Sequence, residues 1–119
     1  MSEISAWPHF IIQSVPDGII TVDGQMCITD LNRAAENLTG YSRAEALGQY
    51  CGKILQSSLC GKECPLKMAM NGDEVVAREA VLRNRQGQRI EVSLAAAALR
   101  DDQGILLGGG GELSGHRPF

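Results

Sequence analysis

The residues of this chain best suited to chemistry are its thiols. Three of the four cysteines, Cys51, Cys60 and Cys64, lie in one run, GQYCGKILQSSLCGKECPLKMAM. Their spacing is C-x8-C-x3-C in a segment punctuated by glycines, and loops of this kind can bring thiolates together around a metal ion or an iron–sulfur cluster. A fourth ligand is missing locally. Cys27 supplies one only if its two neighbours on the predicted strand point away from the core.

A redox switch is a second interpretation of the same thiols. The helix that we predict from Pro65 places Cys64 at its N-terminus, where the helix dipole favours the thiolate. The nearby charges are two lysines and one glutamate: Lys62, Lys67 and Glu63. Cys60 would then act as the resolving thiol of a reversible disulfide with Cys64. The third interpretation is packing alone, since free cysteine is small, apolar and often buried.

Composition limits the partners of the chain. Its 119 residues are enough for one compact domain that folds without disulfides or metals. Because the net charge is −3 and no basic cluster is present, we expect neither direct nucleic-acid contact nor binding to an anionic membrane. No run approaches the roughly 20 apolar residues of a membrane span. MSEISAWPHF lacks the features of a signal peptide, so we expect a cytoplasmic protein with reduced thiols.

The first half of the sequence predicts a helix, a hairpin and two more helices. An amphipathic helix is expected over residues 1–13, because apolar residues recur there at helical spacing: Ile4, Trp7 and Ile11. GIITVDGQMCITDLN predicts a β-hairpin closed by a two-residue type I′ turn at Asp23-Gly24. LNRAAENLTG has helical periodicity, and SRAE has the spacing of a capping box that begins the next helix.

The second half predicts one more helix and three strands. Residues 48–63 read as loop or short turns, and a helix runs from Pro65 to Asn71-Gly72. The strands are VVAREAVLR, RIEVSLAAAALR and ILLGGGGELSG, joined by tight turns. The four glycines 108–111 either admit close backbone approach or fray into a linker. The predicted class is therefore α+β, an antiparallel sheet with helices over one face.

The order of elements and two sequence stretches resemble the PAS domain. The stretches are SVPDGIITVDGQMCITDLNRAAENLTGYSRAEALGQ and VLRNRQGQRIEVSLAAAALRDDQGILLGG, and the resemblance covers nearly the whole chain. The most specific positions are Asp17, Gly18, Asn32, Gly40, Tyr41, Glu45, Gly48 and the hairpin 86–92. The resemblance implies a five-stranded PAS fold over residues 14–113, with residues 114–119 beginning a connector.

The resemblance also implies a function. PAS domains are sensory or interaction modules rather than enzymes, and they are parts of larger bacterial regulators. The chain looks most like those of sigma-54-dependent transcriptional regulators, with the sensor histidine kinases of two-component systems as the alternative. We expect a redox or small-ligand signal, a homodimer formed through the N-terminal helix and the outer sheet face, and a covalently attached AAA+ or kinase output module. The rival is a ligand-free dimerisation or docking module.

Within the PAS family the residues argue against two cofactors and leave a third open. GQYCGKILQ superficially resembles the flavin segment of light-sensing LOV domains, but Tyr50 and Gly52 replace the asparagine and the phosphate-binding arginine of that motif. Haem commonly needs an axial histidine, and His9 and His116 lie at the chain ends. An iron–sulfur cluster on the thiols is preferred over zinc, because PAS modules are sensors.

Overall fold

A computed structural model of the chain describes residues 17–59, 64–72 and 75–115. Within them, five strands form one antiparallel sheet: β1 (Gly18–Asp23), β2 (Ile28–Leu31), β3 (Val76–Arg83), β4 (Arg89–Arg100) and β5 (Leu106–Gly115). The strand order in the sheet is β2-β1-β5-β4-β3, so the first and last strands pair at its centre. The predicted five-stranded sheet is confirmed.

All helices of the described residues lie in sequence between β2 and β3. They are α1 (Arg33–Thr39), α2 (Arg43–Ala46), α3 (Cys51–Leu55) and α4 (Pro65–Gly72). Their buried side chains pack with the inward-facing residues of the strands into one core, which confirms the predicted α+β class. No helix in the described ranges is long and apolar enough to cross a membrane.

The turn between β1 and β2 differs from the prediction. The amide of Met26 donates to the carbonyl of Asp23 at 3.0 Å, and the Asp23 carboxylate accepts the amides of Gln25 and Cys27. The left-handed residue is Met26, with φ of 68°, and not Gly24. The predicted two-residue type I′ turn is therefore wrong. The Asp23 carboxylate stabilises a longer loop, in which a turn is followed by one left-handed residue.

Asn32 joins the first strand to the first helix. Its side-chain Oδ1 accepts the amides of Ile19 and Ala35 at 2.9 and 3.0 Å, and its Nδ2 donates to the carbonyl of Asp17 at 2.9 Å. Asn32 is fully buried, so these bonds satisfy groups that water does not reach. The residue is thus both the N-cap of α1 and a clamp on β1.

The β3–β4 turn rests on the junction between α1 and α2. The amide of Arg85 donates to the carbonyl of Thr39 at 2.8 Å. Its guanidinium pairs with Glu45 and lies 5.2 Å from the centre of the Tyr41 ring. Glu45 also completes the capping box with Ser42, as the sequence predicts. Tyr41 and Glu45, two of the positions that carry the PAS resemblance, therefore help to hold α1 and α2 against the β3–β4 turn.

The glycine tract of β5 brings α4 close to the sheet. A Cβ at Gly109 would lie 3.1 Å from Leu66 and 3.3 Å from Met70, both on α4. At Gly108 a Cβ would lie 1.9 Å from the carbonyl oxygen of Val22. Of the two predicted roles, close backbone approach is confirmed. Because α4 lies directly on β5, little space remains between the helices and the sheet.

The predicted N-terminal helix lies wholly outside the described residues, and the predicted C-terminal connector lies partly outside them. The helix expected over 1–13 lies outside them. β5 continues through Ser114 to Gly115, and residues 116–119 lie outside, so the connector over 114–119 stays a prediction.

Candidate functional site

A small cavity lies where the β1–β2 loop, α3 and the start of α4 meet β4. Its volume is about 20 Å³, room for about one water molecule. The described side chains around it are mostly apolar: Met26, Tyr50, Cys51, Leu55, Leu59, Cys64, Pro65, Leu66 and Leu94. Gly52 and Ser57 complete the lining. Two of the predicted site residues, Cys51 and Cys64, therefore face the same space.

Cys51 begins a short helix that the sequence analysis did not predict. Residues 48–63 were expected to be loop, whereas Cys51–Leu55 forms α3. Long-range backbone bonds fix its start: the Cys51 amide donates to the carbonyl of Met26 at 2.8 Å, and the Ile28 amide donates to Gln49 at 2.9 Å. Such bonds leave no sequence periodicity. Cys51 is 2% exposed, so its thiol is shielded from bulk solvent.

Cys64 lies at the N-terminus of α4, as predicted. Its carbonyl accepts the amide of Met68 at 3.0 Å, and Pro65 is the first helical residue. The thiol is half-buried and contacts the core cluster. Of the described cavity thiols, Cys64 is thus the more accessible to a reagent.

Of the remaining two cysteines, the structure describes Cys27 and not Cys60. Cys27 is half-buried and is not among the described side chains that line the cavity, because its neighbours Met26 and Ile28 are the ones that point into the core. Cys60 lies outside the described residues. The ligand set Cys51, Cys60 and Cys64 and the Cys60–Cys64 disulfide therefore stay predictions. Within the described parts of the chain, no three His, Cys, Asp or Glu side chains lie close enough to hold a metal.

Met26 is a cavity residue that the sequence analysis missed. Its side chain is buried although its backbone is left-handed, a conformation that favours glycine or asparagine. The signal was present in the motif, because an aspartate preceding the turn can bond the backbone two residues on and shift the left-handed position. The structure thus places a thioether beside the two thiols.

The segment that follows α3 is bonded to the outer edge of the sheet. The amide of Ser58 donates to the carbonyl of Val81 at 2.9 Å, and the Val81 amide donates to Ser58 Oγ at 3.1 Å. β3 is an edge strand, so these bonds occupy positions that a neighbouring strand would otherwise fill. Ser58 therefore connects the segment beside the cavity to β3 through two hydrogen bonds.

The outer face of the sheet carries a shallow groove and an acidic pair. The groove has a volume of about 250 Å³ and runs over β3, β4 and β5, past small residues such as Ala77 and Ala95. Beside it, a hydrogen bond from the Asp17 carboxyl raises the pKa of Glu112, and partial burial adds to the shift. Glu112 therefore retains its proton more readily than an isolated glutamate does.

A second carboxyl is shifted in the opposite direction. The pKa of Glu45 is lowered, chiefly by the backbone amide of Ser42 and then by the Arg85 side chain. Both partners favour the ionised form. This charge belongs to the contact between the β3–β4 turn and α2, which is remote from the cavity side chains.

A five-stranded antiparallel sheet with short helices on one face and a small cavity between them defines the architecture of this α+β domain. The model of the PAS domain family matches residues 16–111. The chain belongs to the PAS domain family.

Individual relatives add detail. The signal transduction histidine-protein kinase AtoS of Escherichia coli strain K12 is 32% identical over 98 residues, which is 82% of this chain and 16% of that kinase. This chain thus spans about a sixth of the length of that relative. The PAS domain of a Colwellia psychrerythraea protein superposes with a TM-score of 0.79 at 20% identity, covering 96% of this chain and 98% of the other.

The PAS domain of nitrogen regulation protein NR(II) from Vibrio parahaemolyticus has a TM-score of 0.78 at 16% identity, covering 93% of this chain and 99% of the other. At these identities the two structures bear on the fold alone.

Proposed function

We propose that this PAS domain is the cytoplasmic sensory module of a bacterial sensor histidine kinase and receives a redox signal at the cavity lined by Cys51 and Cys64. The observation that carries the proposal is that both thiols face one cavity, while the segment between them is bonded to edge strand β3. The domain itself is not catalytic in this account. Its output is the state of an attached kinase module.

This proposal places a sensor histidine kinase ahead of a sigma-54-dependent regulator, which reverses the order that the sequence suggested. A sigma-54-dependent regulator was the first expectation and a sensor kinase the second. AtoS of Escherichia coli, which is 32% identical to this chain over 98 residues, is a histidine kinase, and this supports the sensor-kinase expectation. Reading the gene beyond residue 119 tests the assignment: a histidine kinase module is expected, and an AAA+ module with a Walker motif would restore the first expectation.

The redox chemistry needs a peroxide and two thiols. A thiolate attacks a peroxide oxygen, the O–O bond breaks, and a proton from solvent completes the sulfenic acid and the water or alcohol that leaves. A second thiolate then attacks the sulfenic sulfur, and its hydroxyl leaves as water with another proton from solvent, which gives the disulfide. Cys64 is suited to the first step because it is half-buried at a helix N-terminus. Cys51 faces the same cavity, and Cys60 is the partner that the sequence predicts.

Peroxide treatment followed by peptide mass spectrometry tests this proposal. Cys64 is expected to lose its free thiol first and to be found in a disulfide with Cys51 or Cys60. Cys27→Ser is the matched control, because Cys27 is half-buried but outside the described cavity lining. Oxidation confined to Cys27, or free thiols throughout at peroxide levels that oxidise known sensor thiols, would contradict the proposal.

A homodimer formed through the N-terminal helix and the outer sheet face is part of the same proposal. The groove past Ala95 offers small side chains on which a helix can lie closely. Ala95→Arg and the pair Trp7→Ser with Ile11→Ser should each give a smaller particle by light scattering. Asn37→Arg, at an exposed position on α1, is the control. A dimer that survives all of these changes would place the interface elsewhere.

A further inference from the structure

The cavity brings together three sulfur-bearing side chains from three separate elements. Met26 comes from the β1–β2 loop, Cys51 from the start of α3, and Cys64 from the residue before α4. The hydrogen bond from the Cys51 amide to the Met26 carbonyl fixes two of these backbones against each other. The sulfur positions therefore depend on tertiary structure and not on a local sequence motif.

Met26 has a left-handed backbone, a conformation that residues with a long side chain rarely adopt. A buried apolar group could be supplied here by many residues, whereas the left-handed backbone at φ of 68° favours glycine or asparagine. Strained backbone of this kind is concentrated at functional sites. The loop held by Asp23 sets the left-handed backbone, and this conformation directs the thioether of Met26 into the lining of the cavity.

The size and lining of the cavity restrict what it can hold. At about 20 Å³ the described cavity has room for a guest of about atomic size. Its described walls contain no carboxylate and no imidazole. Hard cations such as Mg²⁺ are bound chiefly through carboxylate oxygens, and structural Zn²⁺ takes four ligands from cysteine, histidine and carboxylate groups, whereas the described lining offers two thiols and no carboxylate or imidazole.

Thiolate and thioether ligands select soft cations. Among biological metal ions, Cu(I) is the one whose preferences match a small, water-poor site of cysteine and methionine sulfurs. Met26, Cys51 and Cys64 all lie in the lining of this one small cavity. We propose that Met26, Cys51 and Cys64 bind one Cu(I) ion in this cavity. The inference rests on the proposed function in treating the cavity as the signal input, and it names a ligand for that input.

The binding step is not a redox reaction. The S–H bonds of Cys51 and Cys64 break, their protons pass to solvent, and bonds form between the two thiolate sulfurs and copper, which remains Cu(I). The Met26 sulfur adds a neutral third ligand. Because protons are released, affinity for Cu(I) rises with pH over the range in which the thiols titrate.

Anaerobic titration of the reduced chain with Cu(I), against a chromophoric Cu(I) chelator, tests the inference. One ion per chain is expected, with a copper X-ray absorption spectrum showing only sulfur in the first shell. Cys51→Ser and Cys64→Ser should each lower the affinity by at least ~10-fold, and Met26→Leu by a smaller factor. Cys27→Ser should bind as the unaltered chain does. Thermal melts of the metal-free variants establish that each is folded.

Other results would overturn the inference. Binding that survives both Cys51→Ser and Cys64→Ser, equal loss in Cys27→Ser, or nitrogen or oxygen ligands in the spectrum would each contradict a Met26–Cys51–Cys64 site. A chain that takes up iron and not copper under anaerobic reconstitution would also contradict it. These failures are distinct from failure of the redox proposal, because peroxide oxidation of Cys64 is measured in metal-free protein.

Discussion

The amide of Cys51 donates a 2.8 Å hydrogen bond to the carbonyl oxygen of Met26, a residue 25 positions earlier in the chain whose backbone is left-handed. This bond joins the first hairpin to the start of α3. Both side chains then line the same cavity. The bond is therefore the local reason that a thiol and a thioether share one small space, and any change in the cavity acts on both elements.

Met26→Leu separates the packing role of this residue from its sulfur chemistry. Leucine has a similar volume and keeps the same backbone, so the free energy of unfolding should change by less than ~1.5 kcal/mol. The measurement is urea denaturation of the reduced, metal-free chain. A loss well above this value would show that the thioether is needed for packing, and the variant would then be unsuitable for the copper experiment.

Asn32→Ala removes a buried residue that serves both β1 and α1. In this variant the amides of Ile19 and Ala35 lose Asn32 Oδ1, the oxygen that accepts both of them. One of these two amides then remains in the core without a hydrogen-bond acceptor. The expected loss is about 2 to 4 kcal/mol in the free energy of unfolding. Asn37→Ala, at an exposed position of the same helix, is the control and should stay within ~0.5 kcal/mol. Equal effects in the two variants would contradict the assigned role.

Gly108→Ala tests whether β5 needs glycine to approach β1. The added methyl group would lie 1.9 Å from the Val22 carbonyl oxygen, and the backbone φ of 155° is one that side chains rarely adopt. We expect a loss of about 3 kcal/mol. Gly24→Ala, where no atom lies within 4 Å, should be nearly neutral in the same denaturation experiment. A stable Gly108→Ala variant would mean that the strand pairing is looser than described.

The acidic pair gives the fold a defined dependence on pH. The pKa of Glu112 is raised in the folded state, so the pair stabilises the fold below the unfolded pKa of about 4.3. That contribution is lost as pH rises through the raised folded pKa. At pH 7, Glu112→Gln should therefore increase the free energy of unfolding, by less than ~1 kcal/mol because the pair is mostly exposed. The gain should shrink toward pH 4.

Glu91→Gln is the matched control for this experiment, since Glu91 is an exposed glutamate on β4 of the same sheet. It should not reproduce the change in pH dependence. A Glu112→Gln variant whose stability follows the unaltered chain at every pH from 4 to 7 would show that Asp17 and Glu112 do not share a proton in the folded protein.

The periodicity of the sequence was sufficient to predict the α+β class, and the five-stranded PAS fold was predicted from the family resemblance. Alternating apolar residues in RIEVSLAAAALR define the inner face of β4, and Val92, Leu94 and Ala96 are buried as that pattern requires. Asn32 was identified from the sequence as one of the positions that carry the PAS resemblance. Its bonds to Ile19 and Asp17 were not predictable, because they depend on β1 lying beside the start of α1.

The candidate site was only partly predictable. Cys51 and Cys64 were identified from their residue type, and Cys64 was placed correctly because Pro65 marks a helix start. The cavity that joins them depends on the helix at Cys51, whose start is set by a long-range backbone bond, and on the turn at Met26, which is set by local bonds to Asp23. Local propensity carries no information about the long-range bond, so the loop expected at Cys51 was wrong. The type I′ turn was wrong for a different reason, because the Asp23 carboxylate stabilises a longer loop.

The central claim is that the cavity thiols communicate with the sheet through Ser58 and Val81, and amide hydrogen exchange at Val81 measures this directly. The Val81 amide is bonded to Ser58 Oγ, so its exchange reports on the position of the segment beside the cavity. Peroxide oxidation should accelerate exchange at Val81 in the unaltered chain and in Cys27→Ser, and should have no such effect in Cys64→Ser. Unchanged exchange at Val81 in a sample whose Cys64 is fully oxidised would contradict the account.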